Sequence, residues 1–413
     1  MKYSDLDGVH KENGVIYLDS AATTLMPRKV LTEMSTFTAQ SYATVHRGLY
    51  PLAIAATQQF EESRKKVAQF IGAKPSEIIF TSGATDSLNA IAQMLKKHFA
   101  KQGIQKPKIL LPISEHHANI VPWQSYGFEL TFIPIIRNAK QAYLFDTQFL
   151  KNELQLNQYQ VVSFAHVSNV TGAVADVASI CKLANKHNVL SVIDGAQSVA
   201  YHKIDVAKLN CDFFCFSAHK MYGPTGVGIL YMRDEFHKIL EPFRYGGNMI
   251  EAVSLKTSTF AQGPQKFEAG TLPIQQVVGL SSAISYLEKR HVYFDKKYHS
   301  SEGLQMYFSE LHTYARTLLT TECQKCNIPI TITTAKNAQS VLSFALQTVH
   351  AHDLADLLGE KQICVRGGHH CCMPLHTELG LSATVRISFS VYTQKSDITL
   401  FVKELIAIAK LFG

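Results

Sequence analysis

A lysine delivered by a buried strand can act as a nucleophilic amine. The apolar run Phe213–Phe216 ends in Ser217-Ala218-His219-Lys220 and then a glycine-rich turn, Gly223-Pro224-Thr225-Gly226-Val227-Gly228. Withdrawal from water lowers a lysine's pKa, and the neutral amine condenses with aldehydes as a Schiff base. A surface lysine in a loop is the bland alternative. Upstream, the run Val189–Ile193 delivers Asp194, followed by Gly195-Ala196-Gln197. Ligands of open α/β sheets sit off the carboxyl ends of strands, so an acid there can pair with a protonated ring nitrogen. By itself Asp194 is equally a helix N-cap. Thr81-Ser82-Gly83-Ala84-Thr85-Asp86 falls between a strand and a helix. That is a natural anion site, or simply a cap made by Thr85. Ser217 and His219 can add phosphate ligands. Glu115-His116-His117-Ala118-Asn119 follows a further strand, where a histidine ring can stack on an aromatic ligand and relay protons. Adjacent histidines can also bind metal, but the spacing of a zinc helix is missing.

Amine, strand-end acid, anion turn and stacking ring together match the needs of pyridoxal 5′-phosphate (PLP), whose protonated ring is an electron sink.

These groups need a scaffold of strands and helices. Strands are expected at Ile78–Thr81, Lys108–Leu111, Gln160–Ala165, Val189–Ile193, Asp212–Ser217 and Val227–Met232, with helices such as Thr85–Phe99 and Val177–Lys186 between them. Apolar runs without polar alternation suit strands covered on both faces, and the strand–helix alternation argues a mainly parallel, doubly wound α/β sheet. Beyond about residue 295 the texture changes. Helical patterns run through His299–Leu319, followed by Ser340–Leu346, a helix near His352–Gly359, the apolar run Val385–Phe389 and a helix from Ser396. The expected domains are 19–294, a large PLP-binding α/β domain, and 1–18 with 295–413, a smaller α+β domain.

The chain has 413 residues, 46% hydrophobic and 18% charged, the composition of a folded globular protein. No apolar stretch is long enough for a membrane span. The start, MKYSDLDGVHKENG, has no signal-peptide core, which makes the cytoplasm the expected location. The formal charge of +7 is scattered, unlike the clustered charge of a nucleic-acid binder, and Arg64-Lys65-Lys66 reads as a solvated helix face. The eight cysteines are expected as reduced thiols.

Several segments, in order, resemble class V aminotransferase-fold enzymes. They are Tyr17-Leu18-Asp19-Ser20-Ala21-Ala22-Thr23-Thr24, Val45-His46-Arg47-Gly48, Glu115-His116-His117-Ala118-Asn119, Asp194-Gly195-Ala196-Gln197 and Ser217-Ala218-His219-Lys220. Arg366-Gly367-Gly368-His369-His370-Cys371 and Phe267-Glu268-Ala269-Gly270-Thr271 narrow the resemblance to the group II cysteine desulfurases. It runs from about Asp19 to Phe389 and implies the type I fold of PLP enzymes, with a seven-stranded-type sheet. The implied activity is removal of sulfur from L-cysteine to give L-alanine and a persulfide on Cys371. By the same resemblance Lys220 is the Schiff-base lysine, Asp194 the ring-nitrogen partner, Gln197 the partner of the ring oxygen and His116 the stacking residue. Lys220 and His116 would handle proton transfers. Ala84, Thr85, Ser217 and His219 would hold the phosphate, joined by Thr271 from the other subunit of a homodimer. Asn169 would touch cofactor or substrate, Arg386 would clamp the substrate carboxylate, and Arg366, His46 and Ala22 would adjoin the substrate. A SufE- or CsdE-like protein would take the sulfur.

The sequence departs from the family pattern at Ser82-Gly83-Ala84-Thr85, Thr44, Leu272-Pro273 and Cys372. Cys371 occupies the family position of the nucleophile, with His369 and His370 available to lower its pKa. If the segment is extended, Cys372 points elsewhere. Cys323-x-x-Cys326 lacks a second pair at zinc spacing. Selenocysteine lyase, an aminotransferase and a kynureninase-like hydrolase are rivals on the same scaffold. A scaffold binding metal through His369, His370, Cys371 and Cys372 is the rival of a different class.

Overall fold

The computed structural model of the chain describes residues 14–136, 143–156, 158–336 and 338–412. Residues 1–13 of the expected small domain therefore lie outside the described residues. Its strands, in chain order, are β1 (Ile16–Tyr17), β2 (Ile78–Thr81), β3 (Lys108–Pro112), β4 (Glu129–Ile133), β5 (Val161–Ala165), β6 (Leu190–Asp194), β7 (Phe213–Ser217) and β8 (Gly228–Met232). They continue with β9 (Ile250–Val253), β10 (Ser258–Phe260), β11 (Ile330–Ile332), β12 (Val341–Leu346), β13 (Ile363–Cys364), β14 (Arg366–Gly368) and β15 (Thr384–Ser388).

Seven strands form the central sheet in the order β2-β8-β7-β6-β5-β3-β4. All neighbours are parallel except β8, which runs against both β2 and β7. This is the mainly parallel α/β sheet that the alternation of runs implies. Six of its strands were visible as apolar runs; β4 was not, because Glu129 and its partly exposed neighbours break the pattern. Along the covered strands the pleat sorts residues into two cores. Ile78, Phe80, Phe214, Phe216, Ile229 and Tyr231 enter one layer. Ile79, Phe213, Cys215, Leu230 and Met232 enter the other. The period of two does this because successive side chains leave opposite faces. Each buried aromatic or aliphatic side chain contributes roughly 1.5–3 kcal/mol.

Two antiparallel steps, β7 to β8 and β8 to β2, restore the direction of β2 to that of the parallel strands. The carboxyl ends of β2, β3, β5, β6 and β7 therefore share one edge of the sheet, the edge at which such sheets bind ligands.

A smaller antiparallel sheet, β11-β12-β15-β14, carries the C-terminal part. β1 pairs with β13, and Asp19 bridges to Ser388, so the N-terminal strand joins this layer. The boundary expected at 294/295 falls inside the continuous helix Ile274–Tyr298, which packs on the helices Arg28–Gln40, Pro51–Ile71 and Gly303–Lys325. The helical pattern expected through His299–Leu319 is broken at its start. His299 takes a left-handed φ of 51° and caps one helix, and the next begins at Gly303. Ser340–Leu346 supplies the strand β12, buried at five of its six positions.

One charge reading is corrected. Arg64 is 1% exposed and does not lie on a solvated face. Its guanidinium donates to both carboxylate oxygens of Glu268 (2.8 and 2.9 Å) and to the Ile78 carbonyl. Glu268 also accepts from the Phe80 amide at 2.8 Å. The acid of the Phe267-Glu268-Ala269-Gly270-Thr271 segment thus fixes β2, removing either partner would strand a buried charge, and helix Pro51–Ile71 is tied to the sheet.

Candidate active site

The shared strand edge faces the small sheet across a cavity of about 250 Å³. Lys220 closes the turn Ala218–Lys220 directly after β7. Burial lowers its pKa, Asp194 opposes that shift, and Arg386 adds to it. Asp194 is the last residue of β6 and is buried; its Oδ1 accepts from the Ala196 amide at 2.9 Å. Burial raises its pKa, against the Ala196 bond and the charge of Lys220. Gly195 must be glycine, because a Cβ would come within 2.1 Å of the Phe214 ring.

The anion turn is built from two strands. Ser217 Oγ accepts from the Ala84 amide at 2.8 Å, joining the end of β7 to the start of helix Ala84–Lys101. Gly228 lies beneath; a Cβ there would sit 2.4 Å from Gly83 Cα and 2.7 Å from the Phe216 carbonyl. The first turn of an 18-residue helix, the end whose amides lack carbonyl partners from a preceding turn, thus opens into the cavity beside Thr85, Ser217 and His219.

His116 Nδ1 accepts from the Ala118 amide at 3.0 Å, which leaves the proton of a neutral ring on Nε2. Burial and then Lys220 push its pKa down to about 3, so it is neutral at ordinary pH. Glu115 is buried behind it. One carboxylate oxygen accepts from the Ala165 amide (3.0 Å) and the other from Asn119 Nδ2 (2.7 Å). Asn119 Oδ1 in turn accepts from Trp123 Nε1 and Ser163 Oγ. Burial pushes Glu115 up to about 8. This network anchors the segment carrying His116 to β5.

The small sheet supplies the opposite wall. Arg386, on β15, donates to the Asn169 carbonyl (3.1 Å) and to Asp19 Oδ1 (3.1 Å). Its Nε is buried with no partner. Burial lowers its pKa, with Asp19 opposing. Arg366, on β14, donates toward Cys371 Sγ at 3.9 Å. Thr23 and Thr24 donate to the His219 carbonyl, and Thr24 Oγ1 accepts from the Tyr222 amide, so the N-terminal segment clips the Lys220 turn. Gln197 Nε2 donates to the Ala21 carbonyl at 2.8 Å.

Cys371 sits on a tight turn. His370 (φ 52°) and Cys371 (φ 56°) are both left-handed, not extended. Such residues cost roughly 1–3 kcal/mol each and persist only when their surroundings hold them. Cys371 is half-buried and lines the cavity. Cys372 is fully buried with Ile135, Val170 and Leu375, and burial pushes its thiol far up. The cation beside Cys371 is Arg366; His370 is turned to Thr384 Oγ1 (2.9 Å), and burial drives its pKa down. Cys371, Cys372 and His370 thus diverge, which argues against the metal scaffold.

Thirteen of the sequence-assigned residues line this one cavity: Lys220, Cys371, His116, Asp194, Gln197, Ala84, Thr85, Ser217, His219, Asn169, Arg386, Arg366 and Ala22. Two do not. His46 Nε2 is bonded to Glu61 at 2.9 Å. Thr271 lines a separate recess with Thr44, Arg47 and Asn248. Sequence reasoning missed Asp19, the partner of Arg386, although it lies inside a quoted motif, and it missed the Glu115–Asn119 support. Both act by fixing another side chain, a role that residue type does not announce.

PLP fits these residues. A desolvated amine, a buried carboxylate with one oxygen unused in the bonds above, and a glycine-cradled amide turn meet the needs of its aldehyde, ring nitrogen and phosphate. Among the described residues no group of three His, Cys, Asp or Glu could hold a metal ion, and no helix is long and apolar enough to cross a membrane.

Comparison with known proteins agrees with this architecture. The family described as Aminotransferase class-V matches residues 16–401. A probable cysteine desulfurase of Streptomyces coelicolor is 38% identical, covering 98% of this chain and 94% of that protein. One of Halalkalibacterium halodurans is 36% identical, covering 97% and 94%. Among solved structures, the cysteine desulfurase of Thermococcus onnurineus NA1 superposes with a TM-score of 0.87 at 33% identity, covering 99% of both chains. The Escherichia coli cysteine desulfurase CsdA gives 0.84 at 31%, covering 100% of both. The chain therefore belongs to the class V aminotransferase family, on the type I fold of PLP-dependent enzymes, and within it to the group II cysteine desulfurases.

Proposed function

We propose that the chain is a PLP-dependent cysteine desulfurase in which Lys220 carries the cofactor and Cys371 receives the sulfur. One observation carries the reading: Lys220 and Asp194 from the large sheet and Cys371 and Arg386 from the small sheet line the same cavity. Lys220 would hold the cofactor aldehyde, Asp194 its ring nitrogen, Gln197 its ring oxygen, His116 its ring face, and Ala84, Thr85, Ser217 and His219 its phosphate. When bound, PLP supplies an acceptor for the electron pair released at the substrate Cα.

The rest follows from the chain's own side chains. Arg386 binds the carboxylate of L-cysteine, prealigned by Asp19 and the Asn169 carbonyl, with Arg366 beside it. Lys220, whose proton is loosened by burial, takes the Cα proton. The Cys371 thiolate attacks the substrate sulfur. A new S–S bond forms, the Cβ–S bond breaks with its electron pair left on Cβ, and two protons, the one Lys220 took from Cα and the one released by the Cys371 thiol, complete L-alanine. Cysteine plus enzyme thiol thus becomes alanine plus enzyme persulfide, with no outside oxidant. A half-buried Cys371 can then pass its sulfur to a SufE- or CsdE-like acceptor. A homodimer suits Thr271, which faces a recess outside the cavity and would serve the neighbouring protomer's phosphate. L-Selenocysteine offers the same carboxylate and a weaker Cβ bond, so it would also be accepted.

The purified protein should be yellow and release equimolar alanine and reducible sulfur from L-cysteine. Lys220→Ala should lose both colour fixation and turnover. Undiminished turnover in that variant would refute the assignment.

A further inference from the structure

The second histidine of Glu115-His116-His117-Ala118-Asn119 has no part in the chemistry above, yet it touches the nucleophile's turn twice. Its backbone amide donates to the Cys371 carbonyl at 2.7 Å. Its ring Nε2 accepts from the Met373 amide at 3.0 Å. One residue of the large domain thus binds both sides of Cys372, within a turn whose residues 370 and 371 hold left-handed backbone angles. A turn of this kind keeps its shape only under outside restraint. The other restraints reach different atoms: Asn169 Nδ2 holds the His370 carbonyl (2.7 Å), and Thr384 Oγ1 meets His370 and His376. His117 ties the far side of the turn to the segment bearing His116 through hydrogen bonds at residues 371 and 373.

We infer that His117 is a positioning residue that locks the Cys371 turn onto the cofactor-facing segment, so that the thiol and the ring-stacking histidine hold a fixed separation. The inference rests on Cys371 being the sulfur acceptor. Acceptance at Nε2 requires the proton of the neutral ring on Nδ1, so the ring acts here as a hydrogen-bond acceptor. Burial lowers its pKa, and His369 adds to that, in keeping with this neutral form. The His116 ring, 6.4 Å away between centroids, belongs to the same segment, so a slack turn would misplace the thiol without moving the cofactor face.

The test uses the holoenzyme and separates sulfur transfer from cofactor binding. In His117→Ala the cofactor absorbance and the KM for cysteine should stay within about twofold of the parent, while single-turnover persulfide formation on Cys371 slows about tenfold, the scale of one lost hydrogen bond that positions the thiol. His117→Gln, whose amide oxygen reaches the Met373 amide, should restore most of the rate. Should the alanine variant not fold, His117→Asn, polar but too short to reach, takes its place. Parent-like persulfide formation in the short variant, equal slowing in the glutamine variant, or parallel loss of cofactor colour would each overturn the inference. Cys371→Ser is the control: retained sulfur release there would instead defeat the assignment of Cys371.

Discussion

Arg366 and Arg386 are directly opposed residues on neighbouring antiparallel strands, β14 and β15, and both line the cavity that Lys220 enters. Opposed residues project to one face of a sheet, so two guanidinium groups share a wall, and Arg366 adds to the burial that lowers the pKa of Arg386. Arg386 is stabilised by Asp19; Arg366 faces the Cys371 sulfur instead.

The two arginines should therefore separate by their kinetics. Arg386→Lys removes the forked donor pair and should raise KM for L-cysteine by roughly tenfold or more with a smaller change in kcat. Arg366→Lys should mainly lower kcat. Steady-state kinetics of both variants check this, and the reverse pattern would exchange their roles.

Gly228→Ala tests the anion turn without touching a polar group. The added methyl must displace Gly83 or the Phe216 carbonyl, both backbone. Overpacking of this kind costs roughly 1–3 kcal/mol, and the displaced amides should weaken cofactor retention. Denaturant unfolding and dialysis of the coloured protein would measure both effects. A variant of parent stability that keeps its colour would show that the turn has slack.

Acid stability should depend on buried neutral histidines. Burial pushes His166 down to about 4 and His202 down to about 3, whereas the unfolded chain titrates near the ordinary value of 6.5. The folded state disfavours their protonation. Their stabilising contribution is full above about pH 6.5 and is lost as pH falls toward 4 and 3, at about 1.4 kcal/mol per pH unit for each group. Urea midpoints should drop between pH 7 and pH 5, and His202→Gln should flatten that slope. An unchanged slope in the variant would show that other groups dominate.

The large sheet was legible because its covered strands are continuous apolar runs bounded by glycine and aspartate. Phe213–Ser217 and Leu190–Asp194 carry their functional residue at the end of the run, so sequence order alone placed Lys220 and Asp194 on one sheet edge. The C-terminal part was harder to read. Val341–Leu346 is apolar enough for helix or strand, and β15 pairing decides it. Arg64 looked like part of a solvated charge run, but its partner Glu268 lies 204 residues away. His46 is likewise held by Glu61 on the following helix. Long-range pairs of this kind leave no local trace in the chain. The left-handed turn at His370 and Cys371 was also hidden, since histidine takes positive φ at only a minority of its positions and cysteine does not favour it.

Sulfur placement is the most direct test of the account. The Cys372→Ser holoenzyme, mixed with one equivalent of L-cysteine and no other thiol, should gain the mass of one sulfur atom on the peptide bearing Cys371, with one alanine formed per chain. Fragment mass spectrometry and amino-acid analysis of the same sample report both quantities. Alanine formation with no added sulfur at Cys371, or sulfur lodged on another cysteine, would contradict it.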